Sequence, residues 1–165
     1  MKSDLNKIVL VLGDHAGEII KVLGGKNFHH PKLSVIENRQ YRQGISSSIL
    51  AGLLEVEETF DHVMILLADM PHIDAKLINF LLYRYLDSRL PIGAIRFKGK
   101  RSHPVIFSRA MYYELRRLRG DKGARALFLK YSDRVYLVDP GALYDDMDID
   151  TPEDYVEFRK LLGDE

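Results

Sequence analysis

Short, continuous apolar runs separated by stretches with apolar positions three and four apart set the pattern of this chain. The runs are KIVLVL at 7–12, LSVIEN at 33–38, HVMILL at 62–67, IGAIRF at 92–97, HPVIFS at 103–108 and RVYLVD at 134–139. They are rich in Val and Ile and mostly do not alternate, which is how strands covered on both faces read. The stretches between them have helical spacing, as at Leu77, Ile78, Leu81, Leu82 and Tyr85, or Met111, Leu115 and Leu118. Helix starts are marked by Asp74, by Asp121 ahead of KGARALFLK, and by Thr151-Pro152-Glu153-Asp154, a capping box with proline in the first turn. Alternating strands and helices predict one α/β domain over residues 1–165, a mostly parallel sheet covered on both sides.

Composition narrows the function classes. With 165 residues and 46% hydrophobic content the chain is long enough for one buried core. Twenty-four Lys and Arg balance 24 Asp and Glu, so nothing in the charge asks for nucleic acid or an acidic membrane surface. There is no cysteine, hence no disulfide framework and no thiolate metal site. The apolar run in MKSDLNKIVLVLGDH is too short for a signal peptide or a span, and a soluble cytoplasmic protein is expected. His29 and His30 fall in a polar loop, and His15, His62 and His72 lack zinc spacing.

Four stretches carry candidate chemistry. VMILLADMPHIDA, at 63–75, runs an apolar strand into Asp69, a carboxylate expected to be buried at a strand end and therefore paired, or else to cap a turn or the following helix. YDDMDIDTPEDY, at 144–155, places Asp148 and Asp150 on one face of an extended segment, where with Asp69 they would suit Mg²⁺. In QGISSSILAGL, at 43–53, Gly44 permits an unusual turn and Ser46, Ser47 and Ser48 open a helix; the serines form a nucleotide or phosphate cradle, or one of them is an ordinary N-cap. Lys98, Lys100, Arg101, His103, Lys122 and Arg125 gather positive charge on two loops suited to an anionic substrate, though His103 is equally read as a turn residue before Pro104.

Taken in order, GISSSI (44–49), LLADMP (66–71), HPVIF (103–107), GDKGARAL (120–127) and DIDTPEDY (148–155) resemble the MobA-like nucleotidyltransferases, most closely the molybdenum cofactor cytidylyltransferase branch. The resemblance covers nearly the whole chain. It implies a three-layer Rossmann-like fold of the nucleotide-diphospho-sugar transferase type. It implies transfer of CMP from CTP, with GTP the alternative donor, onto the phosphate of molybdopterin, with Mg²⁺ and release of pyrophosphate. Asp69 and Asp150, with Asp148, would hold the metal. Gly44 and Ser46 to Ser48 would lie against the nucleotide, and His103, Asp121, Lys122 and Arg125 would face the pterin.

One part of the family pattern is missing. Members begin with a strand and a loop of the form LAAGxSxRMGxxK that cradles the triphosphate, whereas KIVLVLGDHAGEI resembles their second strand. Gly24 and Gly25 follow a helical stretch and make a poor phosphate loop. The sheet is therefore expected to be incomplete at its N-terminus, with self-association, a swapped element or a longer gene product as its remedy. Inefficient transfer by this chain alone is expected, and a non-catalytic binding or maturation partner of molybdenum enzymes is the alternative function. A phosphoacceptor receiver domain fits less well, because no acidic pair ends the first strand.

Overall fold

Branched and aromatic side chains, which fit a pleated and covered surface, make the strands. In the computed structural model, which describes residues 2–24, 30–141, 144, 145 and 147–161, the chain divides into two compact units. Gly25 and His29 lie outside the described residues.

The first unit comprises Met64–Ile106 and Tyr136–Glu165 with the first three residues. Most of a four-stranded sheet belongs to it: β3 (His62–Ile65), β4 (Ile92–Phe97), β5 (Lys100–Ser108) and β6 (Val135–Val138), in the order β3-β5-β4-β6. Strand β4 matches its apolar run end to end and buries Ile92, Gly93, Ala94 and Ile95, as a strand covered on both faces must. Lys98 and Gly99, both with positive φ (47° and 75°), form a two-residue turn into β5, so this pair is an antiparallel hairpin. Helix α3 (Ala75–Ser88) starts at Asp74, whose side chain accepts from the Leu77 N–H at 2.9 Å. Its Leu77, Leu81 and Tyr85 are at most 1% exposed and pack with Ile95, Ile106, Val138 and Tyr144. Gly93 admits this packing, since a β-carbon there would lie 2.5 Å from the Tyr85 ring.

The second unit comprises Asp4–Val63 and Phe107–Val135. Here β1 (Ile8–Leu12) runs parallel to β2 (Leu33–Glu37), Ile8 opposite Leu33 and Leu12 opposite Glu37, joined through α1 (Ala16–Leu23). Helix α2 (Ile45–Leu54) packs on β1, with Gly52 against Val11. The helical spacing at Met111, Leu115 and Leu118 resolves into a 3-10 turn (Arg109–Met111) and the short α4 (Tyr112–Arg116), so Leu118 lies beyond the helix. Helix α5 is Arg125–Lys130, and Phe128 meets Phe107 edge to face at 5.6 Å. Glu57, 6% exposed, is held by Arg116, whose Nε and Nη2 both reach its Oε2, at 2.8 and 2.7 Å.

Two helices start elsewhere than the sequence pattern predicts. Asp121 is not an N-cap: it sits in the 3-10 turn Gly120–Lys122, and α5 starts after Ala124, because the positive φ of Gly123 (52°) breaks the helical path. Nor does a serine cap α2; Gly44 is its N-cap, with no side-chain bond. The capping box holds: helix α6 (Pro152–Leu161) is opened by Thr151 and Asp154, each bonding the other's backbone N–H. No helix among the described residues is long and apolar enough to cross a membrane.

Candidate functional site

Asp69 is where the expectation of a buried, paired carboxylate is overturned. Strand β3 stops at Ile65, two residues before the apolar run ends, and Asp69 stands exposed in a turn ahead of the buried Met70. An exposed acid keeps its water and needs no partner. It is nevertheless placed beside the second acidic stretch. The Ile149 N–H donates to the Asp69 carbonyl at 2.8 Å, so Asp148 and Asp150, both exposed, flank the residue tied to Asp69. The tie is braced by His72, whose Nε2 lies 3.4 Å from the Met147 Sδ and whose ring meets Phe158 of α6 edge to face at 5.3 Å.

These acids offer only hard oxygen donors, the set that suits a divalent cation such as Mg²⁺. Among the described residues no group of three or more His, Cys, Asp or Glu is placed to hold a metal. A cation here would therefore keep waters and take substrate oxygens, as Mg²⁺ commonly does.

His103 lies within β5, not in a turn, and is partly buried. Its Nδ1 is buried and makes no hydrogen bond among the described residues. Burial holds its pKa below the usual histidine value; the Ile65 backbone opposes this, Arg101 adds to it, and the Asp69 carboxylate opposes it. Burial thus disfavours the charged ring, which lies within the electrostatic reach of Asp69.

The second unit holds the nucleotide candidates. Gly44 has φ 95°, and a β-carbon on it would lie 2.5 Å from both the Asp121 Oδ1 and the Gly120 carbonyl carbon. The Asp121 carboxylate therefore sits against the N-terminus of α2 and already answers part of its positive end. Ser47 Oγ lies within hydrogen-bond distance of the Gly44 and Gln40 carbonyls and accepts from the buried Asn38, which also donates to Ser48 Oγ. Ser46 is 2% exposed, and its Oγ has no partner among the described residues. Beside these serines a cavity of about 230 Å³ opens between Gln40, Gln43, Leu118 and Arg119. Lys122 and Arg125 are exposed.

Three residues that sequence reasoning passed over form a chain of bonds at the carboxyl ends of β1 and β2. Arg42 Nε donates to Tyr41 Oη at 3.2 Å, and Tyr41 Oη donates to Asp14 Oδ1 at 3.0 Å. Hydrogen bonding to Tyr41, the largest influence, helps hold the Asp14 carboxyl below its usual pKa and raises that of Arg42. Asp14 and Tyr41 are 27 positions apart, and their only sequence signal is that each follows a strand.

The family model of the MobA-like NTP transferase domain matches residues 3–135, running through both units. The purine catabolism protein PucB of Bacillus subtilis is 30% identical over 150 residues, 84% of this chain and 69% of PucB. Rv0371c of Mycobacterium tuberculosis superposes with a TM-score of 0.76 at 21% identity over 96% of this chain and 78% of its own; in its manganese complex the TM-score is 0.73. Molybdopterin-guanine dinucleotide biosynthesis protein A of Archaeoglobus fulgidus has a TM-score of 0.64 at 14% identity, over 95% of this chain and 79% of its own. The structural likenesses establish a Rossmann-like fold, and the matched family model, with the 30% identity to PucB, places the chain in the MobA-like NTP transferase family.

Proposed function

We propose that this chain binds a nucleoside triphosphate, CTP in preference to GTP, with a divalent cation, and transfers its nucleotide monophosphate to the phosphate of a molybdopterin-like acceptor. In that reaction an acceptor phosphate oxygen bonds to the α-phosphorus, the bond from that phosphorus to the bridging oxygen breaks, and pyrophosphate leaves with the electron pair. The observation that carries the reading is the 2.8 Å bond from the Ile149 N–H to the Asp69 carbonyl, which ties the turn carrying Asp69 to the segment carrying Asp148 and Asp150. Asp69, with Asp150 and Asp148, is assigned to Mg²⁺ as a partial ligand set that waters and substrate oxygens would complete, and the ion would supply charge neutralisation to the phosphates.

Asp121 at the start of α2 disfavours a second anion on those amides, so the serine segment is assigned to the base and ribose rather than to the triphosphate. Its neighbouring cavity, about 230 Å³, is below the roughly 300–1,000 Å³ of typical ligand clefts and suits a fragment of the nucleotide. His103, near Asp69 in the first unit, is assigned to the acceptor, whose phosphate needs donors; the exposed Lys122 and Arg125 of the second unit are assigned, by themselves, to an anionic group.

A second reading is favoured by the lack, among the described residues, of a ready metal cage: a non-catalytic binding partner of molybdenum enzymes. Calorimetric titration with CTP and GTP, with and without Mg²⁺, separates the readings. Metal-dependent binding that favours CTP, followed by pyrophosphate release with acceptor, is expected; pterin binding without nucleotide binding would replace transfer by the second reading.

A further inference from the structure

We infer that Arg42 is an anion-binding side chain, held in place by Tyr41 and Asp14 to receive a phosphate group. The proposal rests on the nucleotide reading for the identity of the phosphate carrier, but its hydrogen bonds involve neither Asp69 nor the serines. A tyrosine hydroxyl has a single proton. The Tyr41 proton goes to Asp14 Oδ1, which turns an oxygen lone pair toward Arg42 Nε. The guanidinium is fixed on one edge by this bond, with its Cζ 5.6 Å from the Tyr41 ring centroid. Its two Nη groups make no hydrogen bond or ion pair among the described residues, although the side chain is exposed.

The carboxylate lies one hydroxyl away from the guanidinium, not on it. A direct Asp14 pair would occupy the donor fork, whereas this arrangement orients the fork and leaves it open for a bidentate phosphate. Gly13 tightens the support, because a β-carbon there would come within 2.8 Å of Tyr41 Cβ. Arg42 belongs to the 3-10 turn Tyr41–Gln43 that leads into Gly44 and α2, beyond the carboxyl ends of two parallel strands. That is where open α/β sheets take their ligands. With Asp121 already set against the start of α2, a phosphate on this side needs a cationic side chain.

The test is calorimetric titration of the full chain with inorganic tripolyphosphate and with CTP, both with Mg²⁺, at low and moderate salt. Arg42→Ala is expected to weaken both ligands about tenfold or more and to flatten the salt dependence. Tyr41→Phe keeps the ring and is expected to weaken them about threefold to fivefold. It should cost nothing further in the Arg42→Ala background, because Tyr41 acts as a positioning residue through Arg42. Arg42→Gln serves in place of Arg42→Ala should the latter fail to fold. Unchanged affinity on loss of the Arg42 charge, or an equal Tyr41→Phe effect in both backgrounds, overturns the proposal while CTP binding keeps the nucleotide reading. CTP binding no tighter than tripolyphosphate, with both lost in Arg42→Ala, keeps the anion site and removes the nucleotide. No binding of either ligand removes both.

Discussion

Ile149 is hydrogen-bonded through its backbone to the carbonyl of Asp69, at a distance of 2.8 Å. Because the bond uses main-chain atoms, it does not depend on the charge of either neighbouring carboxylate. Asp69→Asn should therefore separate function from folding. The variant is expected to lose Mg²⁺-dependent nucleotide binding while its stability stays within about 0.5 kcal/mol, since the side chain is exposed. Titration with and without metal, beside a urea unfolding curve, checks both halves, and loss of stability without loss of metal dependence would make Asp69 structural.

Gly44 meets the Gly120–Lys122 turn so closely that Gly44→Ala is expected to be costly. The positive φ of 95° strains any residue with a β-carbon, and that carbon would lie 2.5 Å from the backbone of Gly120. Strain and displacement together should remove about 2–4 kcal/mol, read from urea unfolding. A loss below about 1 kcal/mol would mean that the turn moves away freely.

His103 makes stability depend on pH in a defined direction. Its folded pKa lies below the ordinary 6.5, so near and below 6.5 the unfolded chain binds the proton more readily. The contribution of the neutral ring is complete above 6.5 and is lost as pH falls toward the folded pKa. Thermal midpoints measured from about pH 7.5 down to about pH 5.5 should fall, and His103→Gln should flatten the slope. Asp14, Glu114 and Asp154, whose pKa values are held below 3.8, 4.5 and 3.8 by hydrogen bonds, destabilise in the same direction only in more acid solution.

Arg116→Met would leave Glu57 buried and charged with no cation. Breaking a fully buried pair costs about 3–5 kcal/mol; here the arginine is half-exposed, and about 2 kcal/mol is expected. Glu57→Gln, which keeps shape and an acceptor, should cost about 1 kcal/mol. Equal losses for the two variants, measured by denaturant unfolding, would show that packing rather than charge holds this contact.

Local features were legible in the sequence. Strand β4 was bounded to the residue because all four of its leading positions are buried, and Asp74 and Thr151 capped the helices assigned to them. What depended on distant chain was not legible. Ser46 to Ser48 satisfy every local rule for an N-cap, yet the turn around Asp121 selects Gly44 instead. The exposure of Asp69 follows from β3 ending two residues early, which the unbroken apolar run through Leu67 concealed. The Arg42, Tyr41 and Asp14 chain joins residues that no short motif links.

Arg109, Tyr112 and Arg116 each reach back to the 57–61 segment, bonding Asp61, the Phe60 carbonyl and Glu57 across 48, 52 and 59 positions. On the ribosome the earlier segment emerges first and has none of these partners until the later one is made. The second unit is thus completed late in synthesis, and a nascent chain halted before residue 107 would display the 57–61 segment as an open substrate for chaperones and proteases.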